Sequence, residues 1–224
     1  MTPGNLTSAD FRRILLAISD EIIKAEARLN ALDSAGGDGD HGITMRLGFD
    51  AVKQRLRELP NETSFDQSLL ESAQAFMNAT GGAIGIILAK MFMGGAAALR
   101  GATELGAPEL QAMLAGMETS IAKAGKVKVG DKTILDGVHA ASDAATAAAQ
   151  AEQPFPEALQ AAAIAATAAA HDTANMVCRI GRASRLGERT LGHPDPGAVS
   201  FSIIMETFLR AVADPIAISR PEKA

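Results

Sequence analysis

Apolar residues recur at three- and four-residue spacing through most of this chain, and that period dictates an all-α fold. Phe11, Ile14, Leu15, Ile18 and Ile22 make one such face; Met45, Phe49, Val52, Leu56 and Leu59 make another, which Pro60 ends. Ser64-Phe65-Asp66-Gln67 reads as a capping box for a helix through Asn78. Gly81-Gly82 break the chain, and an apolar helix resumes from Ile84 to Arg100. Pro108 opens a further helix through Leu110, Met113, Leu114, Met117 and Ile121. Asp131 reads as the cap of one through Ile134, Leu135 and Val138 toward Gln150, and Pro156 starts an Ala-rich one through Ala170 to Val177. Ala198 to Val212 forms the last. The pattern gives about eight helices. Two-residue alternation is confined to Lys126-Val127-Lys128-Val129, which reads as loop. No segment has the length or composition of an interdomain linker, so residues 1–224 are expected to form a single domain.

Between the first two of those helical faces lies Asp33-Ser34-Ala35-Gly36-Gly37-Asp38-Gly39-Asp40-His41-Gly42. Clustered carboxylates repel one another, and glycine lets the backbone turn sharply and approach a ligand. Hard oxygen ligands suit Mg²⁺ or Ca²⁺, and Mg²⁺ usually arrives with substrate phosphates. The stretch therefore reads as a metal–phosphate site with Asp33, Asp38 and Asp40 as ligands. Gly37 to Gly42 also has the spacing G-x-G-x-x-G, but the preceding residues are helical, and two Asp stand where pyrophosphate would meet bare amides. An EF-hand counted from Asp38 fails at Gly42, Ile43 and Phe49. His41 stays open as metal ligand, base or nucleotide contact.

Composition narrows the partners. A net charge of −5 argues against nucleic acid, whose phosphates need a basic surface. The lone Cys178 allows no internal disulfide and reads as a core thiol. Gly81 to Leu99 is the most apolar window, but five glycines and Lys90 make it a buried helix, not a membrane span. Met1 to Asp10 lacks the basic start and apolar run of a signal peptide, so the cytoplasm is the expected compartment.

Two other polar segments stand out. Gly125 to Thr133 nearly spells a P-loop, but Asp131 splits glycine from lysine and no strand precedes it, so it reads as a capped helix start with solvated lysines. Gly181 to Gly197 is a long loop rich in Arg, Gly and Pro without periodicity of its own; such loops are often functional, and arginine suits phosphate oxygens. His139 and His171 fall inside helices and read as structural.

Together these segments resemble the L subunit, or DhaL domain, of dihydroxyacetone kinases. The carriers are Leu32-Asp33 through Gly42, Gly81-Gly82 with Gly85, Gly130-Asp131-Lys132-Thr133-Ile134-Leu135-Asp136, Gly181-Arg182-Ala183-Ser184, and Leu186-Gly187-Glu188-Arg189 through Asp195-Pro196-Gly197. The resemblance implies a barrel of eight antiparallel helices with ADP or ATP at the loops of one end. It implies two Mg²⁺ held by Asp33, Asp38 and Asp40. It carries nucleotide contacts to His41, Gly42, Ile43 and Thr44, to Gly82, Ala83 and Ile84, to Gly125 and Ile134, and to Arg182, Asp195, Pro196 and Gly197. It also implies a separate K-type subunit that holds the substrate, with free ATP or a phosphoprotein as phosphoryl donor; homo-oligomers stay open. A nucleotide-sensing regulatory module and a fatty-acid kinase-like domain are the alternatives. The chain departs from the family where Ala83-Ile84 replace the usual Thr-Ser, Ile86 replaces Pro, and Ile43-Thr44 replace Thr-Asn. Each hydroxyl lost near the phosphates would leave backbone amides to serve.

Overall fold

The computed structural model describes residues 4–214; Met1–Pro3 and 215–224 lie outside the described residues, and so do the ends of the expected 1–224 domain. The helices are α1 (Ser8–Lys24), α2 (Glu26–Asp33), α3 (His41–Glu58), α4 (Phe65–Ala79), α5 (Gly82–Ala98), α6 (Ala107–Gly125), α7 (Ile134–Gln150), α8 (Phe155–Asp172) and α9 (Pro196–Ala213). Two 3₁₀ segments, Thr173–Asn175 and Ala183–Thr190, follow α8. Among the described residues there is no strand, only an isolated antiparallel bridge between Leu6 and Leu105. The all-α expectation holds.

Each of α3 through α8 packs on the next helix, α1 packs on α3, and α9 returns to α1, which closes a ring; α2 lies beside α3 and α9. Apolar faces turn inward because a helix with one apolar stripe must bury it. Two phenylalanine groups mark the interior. Phe11 meets Phe65 and Phe208, and Phe208 meets Phe155; Phe49, Phe76 and Phe92 pack mutually, with centroids 5.5 to 6.4 Å apart. Helix α9 is the one described helix long and apolar enough to cross a membrane, and 61% of that stretch is buried among its neighbours, as a core helix requires.

Several local expectations change. Helix α2 was hidden from the periodicity because Leu29 is its one buried residue. Ser64 does precede α4, but its hydroxyl donates to Asp66 and does not cap the helix. A working capping box is at Thr7, whose Oγ1 accepts from the Asp10 amide while the Asp10 carboxylate accepts from the Thr7 amide at 3.1 Å. Thr133, not Asp131, caps α7; Asp131 accepts from the Lys128 amide at 2.9 Å and so fixes the preceding turn. Helix α8 stops at Asp172, short of Val177, because a 3₁₀ turn at Thr173–Asn175 redirects the chain.

Helices α5 and α6 approach closely enough to exclude side chains. A Cβ built on Gly94 would lie 2.2 Å from the Gly116 carbonyl oxygen, and one on Gly116 would lie 2.5 Å from the Gly94 oxygen. Backbone cannot yield as a flexible side chain does. Gly94→Ala is therefore expected to cost about 2–4 kcal/mol, read as a lower urea midpoint with an unchanged slope.

Candidate functional site at one end of the helical ring

Helices α3, α5, α7 and α9 all begin at the same end, where their first residues line one cavity of about 280 Å³. One wall is the aspartate loop, with Asp33, Asp38, Asp40 and His41. Opposite it stand Ala83, Ile84, Ile87 and Leu88 of α5. Lys132, Thr133 and Ile134 lead into α7, and the segment from Cys178 through Arg182 to Asp195-Pro196-Gly197 completes the enclosure. Helix N-termini carry partial positive charge, so four of them around one space favour an anion, although Thr133 and Asp195 already cap α7 and α9 and Asn30 takes the Ile43 amide of α3. No side chain caps α5, whose N-cap is Gly81.

The aspartate loop is built around Asp33. Its Oδ2 accepts from the amides of Gly39 at 2.9 Å and Asp40 at 3.1 Å, which folds the loop back over the end of α2. Gly39 has φ +77°, a conformation L side chains rarely adopt, and a Cβ there would strike the Ser34 hydroxyl at 2.6 Å. Asp33, Asp38 and Asp40 each offer a carboxylate oxygen within 4.8 Å of the others. Arg182 reaches across the cavity mouth to pair with Asp38.

The charges respond to this crowding. Desolvation, then repulsion by Asp38, pushes the Asp40 carboxyl above its ordinary value. Desolvation acts on Asp38 in the same sense, but its backbone hydrogen bond and Arg182 together hold it below the usual range. Three hard oxygen donors under mutual repulsion, open to a cavity, fit a divalent cation such as Mg²⁺.

His41, the first residue of α3, is 4% exposed, and its Nε2 lies 2.8 Å from Ser200 Oγ on α9. Desolvation lowers its pKa to about 4, against the raising effect of Asp33, so the ring is neutral at pH 7.

Asp195 caps α9, accepting from the Ala198 amide at 2.7 Å. Desolvation pushes its carboxyl up to about 7, against the Ala198 bond and the charge of Lys132. A carboxyl whose folded pKa lies above the ordinary 3.8 gives full stability below 3.8, and stability falls as pH rises toward 7. Asp195→Asn keeps the capping oxygen and removes the titration. Its stability is expected to match wild type at pH 4 and exceed it at pH 8 by an amount on the order of 2–3 kcal/mol, read as a higher thermal midpoint. Melts at the two pH values check this.

Five other expected site residues stand beside or behind the cavity wall rather than on it. Gly42 packs against the α2 backbone, where a Cβ would fall 2.1 Å from the Glu26 carbonyl oxygen. The Ile43 amide donates to Asn30 Oδ1 at 3.1 Å, its side chain is exposed, and the Thr44 amide donates to the Asp40 carbonyl. Gly82 opens α5 with φ +73°, and Gly125 lies behind the cavity wall, its Cβ position 3.2 Å from Ile87 Cδ1. None of these five is among the lining residues.

Three readings are corrected. Lys132 is not solvated: it is 5% exposed, and its ammonium donates to the Met176 and Thr190 carbonyls. Cys178 is buried on the cavity wall, outside the ring's apolar core. The 181–197 loop is not without internal order, since Ala183–Thr190 is 3₁₀ helix. His139 pairs with Glu118 at 2.7 Å in a partly exposed contact between α6 and α7, and His171 is exposed at the end of α8. Ile87 and Ile180 went unnoticed in the sequence; their signal was apolar side chains flanking the two polar walls.

Comparison with known proteins places this site in context. The DAK2 domain pattern matches residues 35–210. The chain is 34% identical over 218 residues to the ADP-binding subunit DhaL of PEP-dependent dihydroxyacetone kinase 2 from Listeria innocua, covering 92% of this chain and 98% of that protein. It is 32% identical to the corresponding DhaL subunit of Escherichia coli, over 83% of this chain and 88% of that one. It is 35% identical to the L-erythrulose kinase of Pectobacterium atrosepticum, but there it spans only 33% of the relative's length. The crystal structure of the C. freundii dihydroxyacetone kinase in complex with AMP-PNP and Mg²⁺ superposes with TM-score 0.69 at 23% identity, covering 92% of this chain and 34% of that one, which establishes the shared fold. The chain belongs to the DAK2 domain family, and it matches DhaL subunits of that family over nearly their whole length.

Proposed function

We propose that this chain is the nucleotide-binding phosphotransfer subunit of a kinase for dihydroxyacetone or a related ketose, working with a separate subunit that holds the ketose. The observation that carries the reading is the meeting of three aspartates, within 4.8 Å of one another, with four helix N-termini in a single cavity. Carboxylates alone would repel a phosphate chain; with a divalent cation between them, the same end of the ring suits one. The DhaL relatives are ADP-binding subunits, which supports ADP as the nucleotide and an assembly with other subunits; ATP is the alternative within this reading.

In this reading Asp33, Asp38 and Asp40 hold two Mg²⁺. Bound there, the ions supply charge neutralisation and orientation of the phosphates. The amides at the start of α5, from Gly82 through Ile84, receive phosphate oxygens in place of side-chain hydroxyls. Arg182 adds a guanidinium to the same oxygens. Ile84, Ile87 and Ile134 offer apolar surface to the base, with Gly125 behind them. His41, held neutral against Ser200, keeps α3 and α9 in register at the floor. Asp195-Pro196-Gly197 closes the far wall. Phosphoryl transfer through such a site depends on positioning and electrostatics, so the chain needs no general base of its own.

The test is reconstitution. Mixed with a substrate-binding partner subunit and a ketose, the chain should support ketose phosphate formation, and neither component should do so alone. No product from the mixture with any donor would leave a nucleotide-sensing module as the better reading. The donor shows in the purified protein. The chain has no Trp or Tyr, so a retained nucleotide dominates its absorbance near 260 nm. Retained ADP favours recharging by a phosphoprotein; a bare spectrum favours exchange of free ATP.

A further inference from the structure

Lys132 is a buried cation that the proposed phosphotransfer does not use directly. It adopts φ +62°, outside the usual range for a lysine. Its stem leads to an ammonium that donates to the Thr190 carbonyl at 2.6 Å and the Met176 carbonyl at 3.0 Å. Those carbonyls sit on the two strands of chain that form the neck of the 176–190 segment, and Arg182 lies near that segment's far end. The preceding residue adds a second tie, since the Asp131 carbonyl accepts from the Arg179 amide at 3.2 Å. Below the neck the chain closes again, with Gly192 donating to Ala174 at 2.8 Å and the Asp195 amide donating to Thr173 Oγ1 at 2.8 Å.

A buried ammonium is expensive unless its donors are satisfied, and carbonyl oxygens satisfy them without neutralising its charge. Asp195 lies near enough to favour the charged ammonium when its own carboxyl, pushed up to about 7, is ionised. Another bond crosses the neck directly, from the Cys178 amide to Thr190 Oγ1 at 3.0 Å, and Lys132 adds a charged donor that touches both sides. Thr190 Oγ1 also donates to the Gly187 carbonyl, a contact local to one side of the loop. Arg182 and Asp38 pair at the exposed tip, where an ion pair contributes little by itself.

We propose that Lys132 is a positioning residue for Arg182: its ammonium pins the two sides of the 176–190 neck together, and so holds the guanidinium over the aspartate cluster. This rests on the nucleotide reading above, in which Arg182 contacts phosphate. The pin acts through geometry, so removing it should cost affinity only as long as Arg182 is there to be misplaced.

The test uses the whole chain and two readouts. Trypsin cleaves after Arg179, Arg182, Arg185 and Arg189; Lys132→Met should speed cleavage in this loop about tenfold while the helices stay protected. In calorimetric titration with Mg-ADP, Lys132→Met and Arg182→Met should each weaken binding about tenfold, and the double variant should be no weaker than the worse single by more than about twofold. Should Lys132→Met not fold, Lys132→Gln carries the same measurements. Unchanged loop cleavage, or losses that multiply in the double variant, would overturn the pin. A wild-type chain that binds no Mg-ADP at all overturns the nucleotide reading instead, and the Arg182 half of the inference with it.

Discussion

Asp33→Ala is expected to abolish Mg-nucleotide binding, lowering affinity by at least about a hundredfold, while the far-ultraviolet helical signal stays at the wild-type level. The size follows from two roles in one side chain. Its carboxylate belongs to the cluster of three. Its Oδ2 also accepts from the amides of Gly39 and Asp40 and sets the loop that carries both other aspartates. Alanine removes a ligand and releases its two companions. Asp38→Ala and Asp40→Ala remove one ligand each and leave the loop bonded, so each should also end tight binding but with smaller loss. The ring is spared because these residues lie at its end, outside the apolar core. Isothermal titration with Mg-ADP, beside circular dichroism, separates the two effects.

Gly42→Ala should be the most damaging single-methyl change near the site, and chiefly through stability. A Cβ there would lie 2.1 Å from the Glu26 carbonyl oxygen, 2.7 Å from Asn30 Oδ1 and 2.9 Å from the Glu26 carbonyl carbon. Two of these atoms are backbone of α2 and cannot rotate away. Asn30 is also engaged, accepting from the Ile43 amide at the start of α3. The methyl must therefore part α2 from α3 and loosen that cap. A cost of about 2–4 kcal/mol is expected. In a chain of this size that lowers the melting midpoint on the order of 5–12 °C. At temperatures where the variant is folded, its Mg-ADP affinity should fall far less than that of Asp33→Ala. A wild-type midpoint would show that α2 and α3 tolerate separation, and a total loss of binding in a folded variant would assign Gly42 to the ligand.

These two positions also show what a sequence discloses. The aspartates were legible because their chemistry is local: three carboxylates within eight residues, spaced by glycine, repel one another unless something cationic joins them. The helices were legible because buried faces repeat along each long one, from Phe11 to Ile22 and from Met45 to Leu56, while their closure into a ring came from the resemblance. Gly42 was placed in the site by resemblance, and geometry gives it a packing reason that no pattern carries. Lys132 was misread as solvated because its partners are 44 and 58 residues away, at Met176 and Thr190. Its burial exists only once the loop has folded over it. Ser64 failed as a capping box for a simpler reason, since a closer acceptor at Asp66 took its hydroxyl.

The central claim is that the aspartate cluster binds nucleotide through a divalent cation. Titration of ADP into the wild-type chain, with Mg²⁺ and then with excess chelator, tests it most directly. Saturable binding with Mg²⁺ that disappears in chelator is the expected result. Equal ADP affinity in both conditions would contradict it.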